Sequence, residues 1–359
     1  LLYSFQLEAI FSKTLTDIIY TNINLLPPTE AALGADNRPV YAARNEARIP
    51  LLPDSSNPYD YIILMSNNKK PAGNSFLLNF HLFHSEKKGP ACTLRYSYGR
   101  ASSLQDGNAA VNASQWRLTE SVGGKNDLSL ANAVYSLGHK IYLGISKRIK
   151  RAGNKNEFGI AVNYTGQSGT PMSFVYGNYS MVRDDGQKGS ADLIYIPTAN
   201  QLTQMIFLPF AENGKTYFAE EQKSAFDQYI ESDRYLKSRR GNYAERNGSR
   251  LPFTHTINLQ LKKDIKIVWK PLQLHAEIKL DIFNIAALFN PAWGKKYFLP
   301  FNRVELVEFA GYKGIRDLTP QFRFNPAHNK EPDWIVNQSF TPSYSSDWSS
   351  QISFKITLK

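Results

Sequence analysis

The feature that most constrains this chain is a long alternation of apolar and polar residues. From Leu272 to Phe283 the even positions are all aliphatic, and the odd positions are charged or polar except for the last. Strands in soluble proteins usually have about 5–6 residues, whereas a tilted strand needs about 9–11 residues to cross a bilayer. One aliphatic face of this length, opposite a polar face, is typical of a strand that meets two different solvents.

The same alternation closes the chain and recurs upstream. We predict nine spans of about 9–13 residues. The alternation is found at 3–12, 16–25, 76–82, 92–99, 140–148, 158–165, 256–262, 272–283 and 348–358, and it is weakest at 16–25. A short apolar segment from Tyr61 to Met65 is interpreted as an extracellular extension of the strand that begins near Asn74.

The predicted connections alternate between short and long. The short turns lie near 13–15, 85–90, 151–156 and 263–270, and the long connections are 26–72, 102–137, 169–252 and 284–347. Such long connections are unusual in compact soluble domains, where the median is about 4–6 residues. In outer-membrane barrels, short periplasmic turns and long extracellular loops are the rule.

These patterns predict an all-β fold in the form of a transmembrane antiparallel β-barrel. A soluble antiparallel sandwich remains the alternative, because its strands also alternate between a core and water. An odd number of spans predicts that the barrel is incomplete, since single-chain bacterial barrels have an even number and lipid does not tolerate open sheet edges. Further strands are therefore expected before Leu1.

Composition excludes some classes and leaves others open. Lys and Arg number 42 against 31 Asp and Glu, and this net charge of +11 would allow nucleic acid, anionic lipid or an acidic ligand as partner. The single cysteine, Cys92, excludes a disulfide framework within the chain. No stretch approaches the roughly 18 apolar residues of a membrane-spanning helix, and no secretory signal is visible at Leu1.

The histidines give little support for a metal site. His81 and His84 are three residues apart, so on a strand they would point to opposite faces. His275 and Glu277 share the polar face of one strand, and we interpret them as part of a hydrated or ion-paired barrel interior.

An acidic segment resembles a calcium loop only loosely, because the ligand spacing fails and the closing Glu is missing. It contains Asp184, Asp185, Gly186, Gly189 and Asp192. No nucleophile elbow, phosphate-binding loop or dinucleotide-binding glycine set is present. We therefore predict no catalytic, cofactor-binding or metal site and no enzymatic activity.

Many basic residues lie near predicted strand ends. They include Lys69, Lys70, Lys87, Lys88, Lys147, Arg148, Lys150, Arg151, Lys262, Lys263, Lys295 and Lys296. At strand ends, cationic groups can reach lipid phosphates while their stems stay in the apolar boundary. The alternative is an electropositive funnel for an anionic solute.

Several segments, taken in order, resemble the carboxy-terminal portion of the Oar-like TonB-dependent receptors of bacterial outer membranes. The matching segments are Tyr96–Gly99, Asp106–Gly107, Ser114–Arg117, Tyr164–Pro171, Asp192–Pro197, Ser238–Pro252 and Asp281–Gly294. The resemblance implies a 22-stranded barrel of which residues 1–359 are the carboxy-terminal part. The plug, the TonB box and a small regulatory-like domain would be absent from this chain. The ending Thr357, Leu358, Lys359 departs from the aromatic terminus that such barrels often have.

The resemblance also implies a function. We expect TonB-dependent import of an unidentified ligand across the outer membrane, with outer-membrane lipid, lipopolysaccharide and the TonB complex as partners and no role for nucleic acid. The extracellular ligand could include a surface lipoprotein or another protein. Ligand contacts are expected from Tyr, Trp and Asn of 169–252 and 284–347, although no single residue can be assigned. The alternative is surface binding, adhesion or a secretion-partner role on the same scaffold.

Overall fold

A computed structural model provides the three-dimensional description. It describes residues 2–42, 46–47, 49, 59–68, 71–85, 89–107, 109–150, 156–185, 191–269, 272–327, 335–336 and 346–358. Strands far outnumber helices, so the expected all-β class is confirmed.

The secondary structure consists of twenty-four strands, five α-helices and one 3-10 helix within the described residues. The strands are β1 (Leu2–Thr14), β2 (Ile18–Asn22), β3 (Glu30–Ala31), β4 (Pro39–Val40), β5 (Ile63–Asn67), β6 (Gly73–Ser85), β7 (Ala91–Ser103), β8 (Ala131–Asn132), β9 (Gly138–Lys150), β10 (Glu157–Gln167), β11 (Pro171–Asn178), β12 (Tyr195–Ile196), β13 (Ile206–Phe207), β14 (Phe210–Glu212), β15 (Lys215–Tyr217), β16 (Asn242–Tyr243), β17 (Ser249–Arg250), β18 (Thr254–Trp269), β19 (Leu272–Phe283), β20 (Tyr297–Phe298), β21 (Arg303–Tyr312), β22 (Pro320–Arg323), β23 (Ile335–Val336) and β24 (Ser349–Leu358). The helices are α1 (Asn112–Arg117), α2 (Ala199–Gln204), α3 (Ala219–Ser232), α4 (Arg234–Ser238) and α5 (Ile285–Phe289), and the 3-10 helix is Pro300–Asn302.

Eight long strands form one antiparallel sheet, which we call the main sheet. Their order is β1-β6-β7-β9-β10-β18-β19-β24, and the short strand β8 also pairs with β7. Each long strand therefore lies beside its neighbours in chain order, and the connections alternate between long and short as predicted. In the part of the chain that the structure describes, β1 and β24 are the two edges of the sheet and do not pair with each other.

The register aligns the apolar residues of all eight strands on one side of the main sheet, which we call the apolar face. Directly opposed residues in an antiparallel pair point to the same side. One continuous row illustrates the alignment: Phe5, Leu82, Leu94, Leu143, Tyr164 and Ile257. Another row runs through Leu261, Leu280 and Ile352. The opposite side, the polar face, carries rows such as Gln260, Asp281 and Gln351.

The main sheet has almost no buried core of its own. Ala101 is the single buried apolar residue in its long strands, within the described side chains. Many large side chains on the apolar face are exposed, including Phe5, Phe11, Ile145, Val162 and Phe354. A contiguous apolar surface of this width is the mark of a protein or membrane contact rather than of a water-exposed sheet.

The prediction of nine spans is wrong at its second span, because the main sheet has eight long strands. Residues 16–25 contribute β2, which pairs with β5 in a separate two-stranded ribbon. Thr14 opposes Gly73 and Ile18 opposes Asn67, so the ribbon continues the β1–β6 pair rather than turning back at 13–15. Alternation indicates any half-buried strand, whether it belongs to the main sheet or to a small ribbon. It therefore could not distinguish β2 from a membrane-spanning strand. The segment near Tyr61 contributes β5, which pairs with β2 and precedes β6 as an extension of it, whereas its extracellular position stays a prediction. The count of eight is even, so the argument from an odd number does not apply to this sheet.

The turn predicted near 263–270 is also wrong, because β18 extends to Trp269 and only residues 270 and 271 separate it from β19. Those two residues lie outside the described ones, as do 86–88 and 151–155 in the other two short turns.

The long connections fold together into a second unit, which we call the cap: the described parts of residues 15–72, 104–137, 168–253 and 284–348. Its central sheet has the order β13-β22-β21-β11-β17, and α3 packs against β13. Helix α3 buries Gln222, Phe226, Tyr229 and Ile230, the spacing of an amphipathic helix. The buried aromatic side chains of the core are Phe174, Tyr176, Phe207, Phe226, Tyr229, Phe309, Phe322 and Phe324. The hydrophobic core of the protein therefore lies in the connections and not in the main sheet.

Candidate functional site

The cap is joined internally by a buried ion cluster around Lys125. Its Nζ lies 2.9 Å from Asp184 Oδ1, 3.4 Å from Asp192 Oδ1 and 3.9 Å from Asp185 Oδ2. Burial opposes the positive charge, but the nearby carboxylates outweigh that effect and raise the pKa of Lys125 well above its ordinary value. The ammonium therefore stays charged and sits among the three carboxylates that resembled a calcium loop.

The same cluster fixes the backbone of two connections against each other. Asp192 Oδ2 accepts hydrogen bonds from Ser180 Oγ at 3.0 Å, from Met181 N at 2.7 Å and from Val182 N at 3.1 Å. Lys125 N donates to Asp184 Oδ2 at 2.8 Å. Because Lys125 belongs to the 104–137 connection and the carboxylates to the 168–253 connection, the cluster orders both.

A second buried cluster, around Arg38, ties the first connection to the third. Arg38 Nε donates to Asp36 Oδ1 at 2.6 Å and Nη2 donates to Leu193 O at 2.8 Å. The guanidinium carbon lies 5.0 Å from the ring centroid of Tyr176 and 5.2 Å from that of Tyr243, the geometry of cation–π contacts. Burial raises the pKa of Tyr243 to about 12, so its hydroxyl stays neutral and donates to Asp36 O.

A cavity of about 610 Å³ lies where the cap meets the cap-proximal ends of β18, β19 and β24. Its lining is polar except for one ring, and it consists of Thr256, Asn258, Phe283, Asn284, Lys296, Asp347, Ser349, Ser350 and Gln351. Burial lowers the pKa of Lys296. This size and this mixture of hydrogen-bonding groups fit a small polar ligand. Three of the lining residues, Asn284, Lys296 and Asp347, belong to the 284–347 connection, which was expected to contribute ligand contacts.

Asn284 shapes the wall of this cavity. It has a left-handed backbone (φ 51°) immediately before α5, a conformation that Asn tolerates better than most residues. Its Nδ2 donates to Gly294 O at 3.1 Å and to Ser346 O at 2.7 Å, and its N donates to Asn258 Oδ1 at 2.9 Å. Through the bond from Asn284 to Gly294 O, the loop from 284 to 294 is closed over the end of the main sheet.

The polar face below the cavity carries ion pairs, one between β18 and β19 and one within β19. Lys262 Nζ lies 2.8 Å from Glu277 Oε2, and Lys279 Nζ lies 2.8 Å from Asp281 Oδ2. Gln260 Nε2 donates to Asp281 Oδ1 at 2.7 Å. His275 and Glu277 both lie on this polar face, as their spacing predicts, and His275 Nε2 lies 3.4 Å from Asp264 Oδ1. That this face lines a barrel interior stays a prediction.

The two histidines considered as a metal-binding pair lie on opposite faces of the main sheet. His81 opposes Gln6 and Arg95 on the polar face, whereas His84 stacks on Tyr3 on the apolar face with ring centroids 4.5 Å apart. The prediction that the two histidines point apart is therefore confirmed. Gly186 and Gly189 lie outside the described residues. Among the described residues, no group of three or more His, Cys, Asp or Glu is arranged to hold a metal ion.

The basic residues divide between the two faces and the cap. Lys147 lies on the apolar face three residues before the end of β9, opposite Ile160. Lys263 lies on the same face opposite Ile278, six residues before the end of β18, so its predicted position at a strand end is wrong. Lys262 is on the polar face, and Lys150 pairs with Glu157 at 3.3 Å. Lys69, Lys70, Lys87, Lys88 and Arg151 lie outside the described residues.

Two arginines in the segments that resemble receptor motifs donate hydrogen bonds to backbone carbonyls elsewhere in the cap. Arg250 Nη1 donates to Gly169 O at 3.0 Å and Nη2 donates to Ser136 O at 2.8 Å. Arg246 Nη1 donates to Leu104 O at 2.6 Å. Sequence reasoning singled out these segments but missed Lys125 and Arg38, because a lone cation gives no periodic or motif signal.

Comparisons with protein-family models, curated proteins and solved structures gave no match. Among the described residues, no helix is both long enough and apolar enough to cross a membrane.

Proposed function

We propose that this chain forms part of the wall and the extracellular side of an outer-membrane β-barrel of the TonB-dependent class, of about 22 strands in the complete barrel, which imports a ligand. The observation that carries the proposal is the apolar face, which continues in register across all eight long strands while the polar face carries ion pairs. A face of this kind fits lipid, and the paired charges opposite it fit a water-filled interior.

Aromatic residues at the edge of the apolar face support the same orientation. At the end nearest the cap, Tyr96 Oη lies 2.8 Å from His139 Nδ1, and Tyr164 Oη lies 2.8 Å from His255 Nδ1. Aromatic girdles mark the two interfaces of membrane barrels. Because membrane barrels of this kind have short periplasmic turns and long extracellular loops, the cap would then be extracellular and the short turns would face the periplasm.

The proposed binding site for the ligand is the cavity of about 610 Å³. It lies between the cap and the polar face, and in the proposed barrel it would be on the route from the outside to the interior. Neutral donors and acceptors line it together with Lys296 and Asp347, so the proposed ligand is small and polar. Coupling to TonB would supply the energy, and the role involves no catalysis.

Uptake measurements test the import function. A deletion strain should lose growth on at least one nutrient whose use also requires TonB, and the wild-type gene should restore it. Gln351→Trp would fill the cavity and should lower that uptake, whereas Thr357→Trp, on the same face of β24 but outside the cavity, should leave it unchanged. Unchanged growth of the deletion strain on every nutrient that requires TonB would contradict import.

A surface-binding role on the same scaffold is the second candidate, and exposed aromatic side chains in the cap favour it. Phe289, Trp293 and Phe301 are 73%, 56% and 74% exposed. Phe301 also has a left-handed backbone (φ 53°), which is costly for a bulky residue and is typical of functional positions. A deletion strain that uses every TonB-dependent nutrient normally, but no longer captures a protein partner that the wild-type strain captures, would favour this role.

A further inference from the structure

A groove of about 660 Å³ lies on the outer side of the molecule, where the cap meets the apolar face. It is distinct from the cavity described above and shares no lining residue with it. Four arginines line it, namely Arg38, Arg100, Arg239 and Arg246, together with the acidic residues Glu120, Asp127 and Glu245.

The strand register fixes where the groove opens. Arg100 lies in the same row as Phe11 and Phe76, and Ser102 opposes Asn74 one row closer to the cap, so both lie at the cap-proximal end of the apolar face. Lys13 opposes Asn74 from the other side and also lies on that face. The groove therefore opens at the cap-proximal rim of the apolar face, where lipid headgroups would be if that face is in a membrane.

Two buried guanidinium groups in the groove wall have donors without a partner. Arg38 is fully buried and Arg246 is 3% exposed. Arg38 Nη1 and Arg246 Nε are buried and form no hydrogen bond with the described residues. Buried donors in folded proteins are almost always paired, so these two donors leave positions in the groove wall for acceptors that a ligand can supply.

The charges of the groove leave a positive balance. Glu245 is 3.1 Å from Arg239, Glu120 is 2.7 Å from Arg303, and Asp36 neutralises Arg38. The remaining charges of the lining are the two positive charges of Arg100 and Arg246 and the one negative charge of Asp127. Neither arginine has an acidic partner within the described residues. Arginine binds phosphate strongly because its planar donors match the phosphate oxygens.

We infer that this groove binds a phosphorylated sugar. The phosphate would lie among Arg100, Arg246 and Arg38, and the sugar hydroxyls would meet Ser102, Asp127 and the carbonyl groups of the wall. If the sugar is the headgroup of an outer-leaflet glycolipid, its acyl chains would run along the apolar face past Phe76 and Tyr98. That lipid source rests on the proposed membrane location, whereas a free sugar phosphate does not.

Binding measurements by native mass spectrometry test the inference, with the protein in detergent micelles. The probes are diphosphoryl lipid A, the same lipid without phosphates, and glucosamine 1-phosphate in solution. We expect the wild-type protein to bind a phosphorylated probe at least tenfold more tightly than the dephosphorylated lipid. Arg100→Gln, a change at an exposed residue, should abolish that preference. Lys140→Gln, which removes an exposed charge from the polar face of the next long strand, should change binding less than twofold.

The measurements distinguish a glycolipid from a free sugar phosphate, and they test the groove separately from the proposed membrane location. Preference for lipid A over glucosamine 1-phosphate identifies a lipid ligand, and comparable binding of both identifies a soluble one. Equal binding of phosphorylated and dephosphorylated probes, or an unchanged preference in Arg100→Gln, overturns the groove whatever the location of the protein. Extraction of the protein in buffer without detergent would overturn the membrane proposal and leave the soluble probe to test the groove.

Discussion

At the scale of single residues, Lys125 is the clearest case of a side chain whose charge organises its surroundings. It is fully buried, and the nearby Asp184 and Asp192 are fully buried as well. Removing one member of a buried ionic cluster leaves the others without compensation, which costs about 3–5 kcal/mol. The cluster therefore fixes how two long connections meet.

We predict that Lys125→Met lowers the free energy of unfolding of the cap by about 3–5 kcal/mol. The control is Lys237→Met, because Lys237 forms an exposed ion pair with Glu231 at 2.8 Å and such pairs contribute about 0–1 kcal/mol. Urea unfolding in micelles measures both. Equal stability of the two variants would show that the buried cluster does not hold the cap.

Lys296 gives a prediction about pH. Burial disfavours its charged form and lowers its pKa, so the folded protein binds this proton more weakly than the unfolded chain. Between the folded pKa and the unfolded value the unfolded chain carries more of the proton, so raising the pH through that window adds stability. Acylation of Lys296, followed by peptide mass spectrometry, should reach its midpoint at a lower pH in the folded protein than in the urea-unfolded chain. A midpoint at the same or a higher pH would contradict the burial argument.

At the scale of elements, close approach of backbones explains one of the glycines in the segments that resemble receptor motifs. A Cβ added at Gly169 would lie 2.1 Å from the carbonyl oxygen of Leu251. The first and last residues of the 168–253 connection therefore touch at this point, and Leu251 N also donates to Thr170 O at 3.0 Å. Only a residue without a side chain allows this contact.

Gly169→Ala should therefore cost about 1–3 kcal/mol, the range for forced overpacking. Gly159→Ala is the matched control, because its nearest neighbour, Lys262 Cβ, would lie at an ordinary 3.6 Å. We expect the control to stay within about 0.5 kcal/mol of the wild-type protein. Thermal unfolding of the two variants side by side checks the difference. A tolerated Gly169→Ala would mean that the two ends of this connection can separate without loss of stability.

The element scale also shows how far sequence alone can go. Alternation located all eight long strands, because side chains of a strand point alternately to its two sides, and here the two sides differ in polarity. It failed at Ile18–Asn22, where a ribbon of the cap has the same period. The end of β18 was also misjudged, since charged residues such as Lys262 and Asp264 on the polar face read as a turn.

At the scale of the whole molecule, the division into a main sheet and a cap is what sequence reasoning missed. The core residues Phe174, Phe226 and Phe322 belong to short elements far apart in the chain, and their contacts have no local period. The candidate cavity and the outer groove depend on the same long-range contacts. Neither Asn284 nor Arg38 could have been assigned a role before the connections were placed.

The central claim is that the two faces of the main sheet meet lipid and water, and the single cysteine gives direct access to it. Cys92 lies on the apolar face opposite Ile145 and His84, and Thr93 lies next to it on the polar face. A nitroxide label would be placed at Cys92, or at position 93 in the double variant Cys92→Ser, Thr93→Cys, with the protein reconstituted in lipid vesicles. We predict that the label at 92 collides mainly with oxygen dissolved in lipid and the label at 93 mainly with a water-soluble nickel complex. Equal access of the nickel complex to both labels would contradict the account.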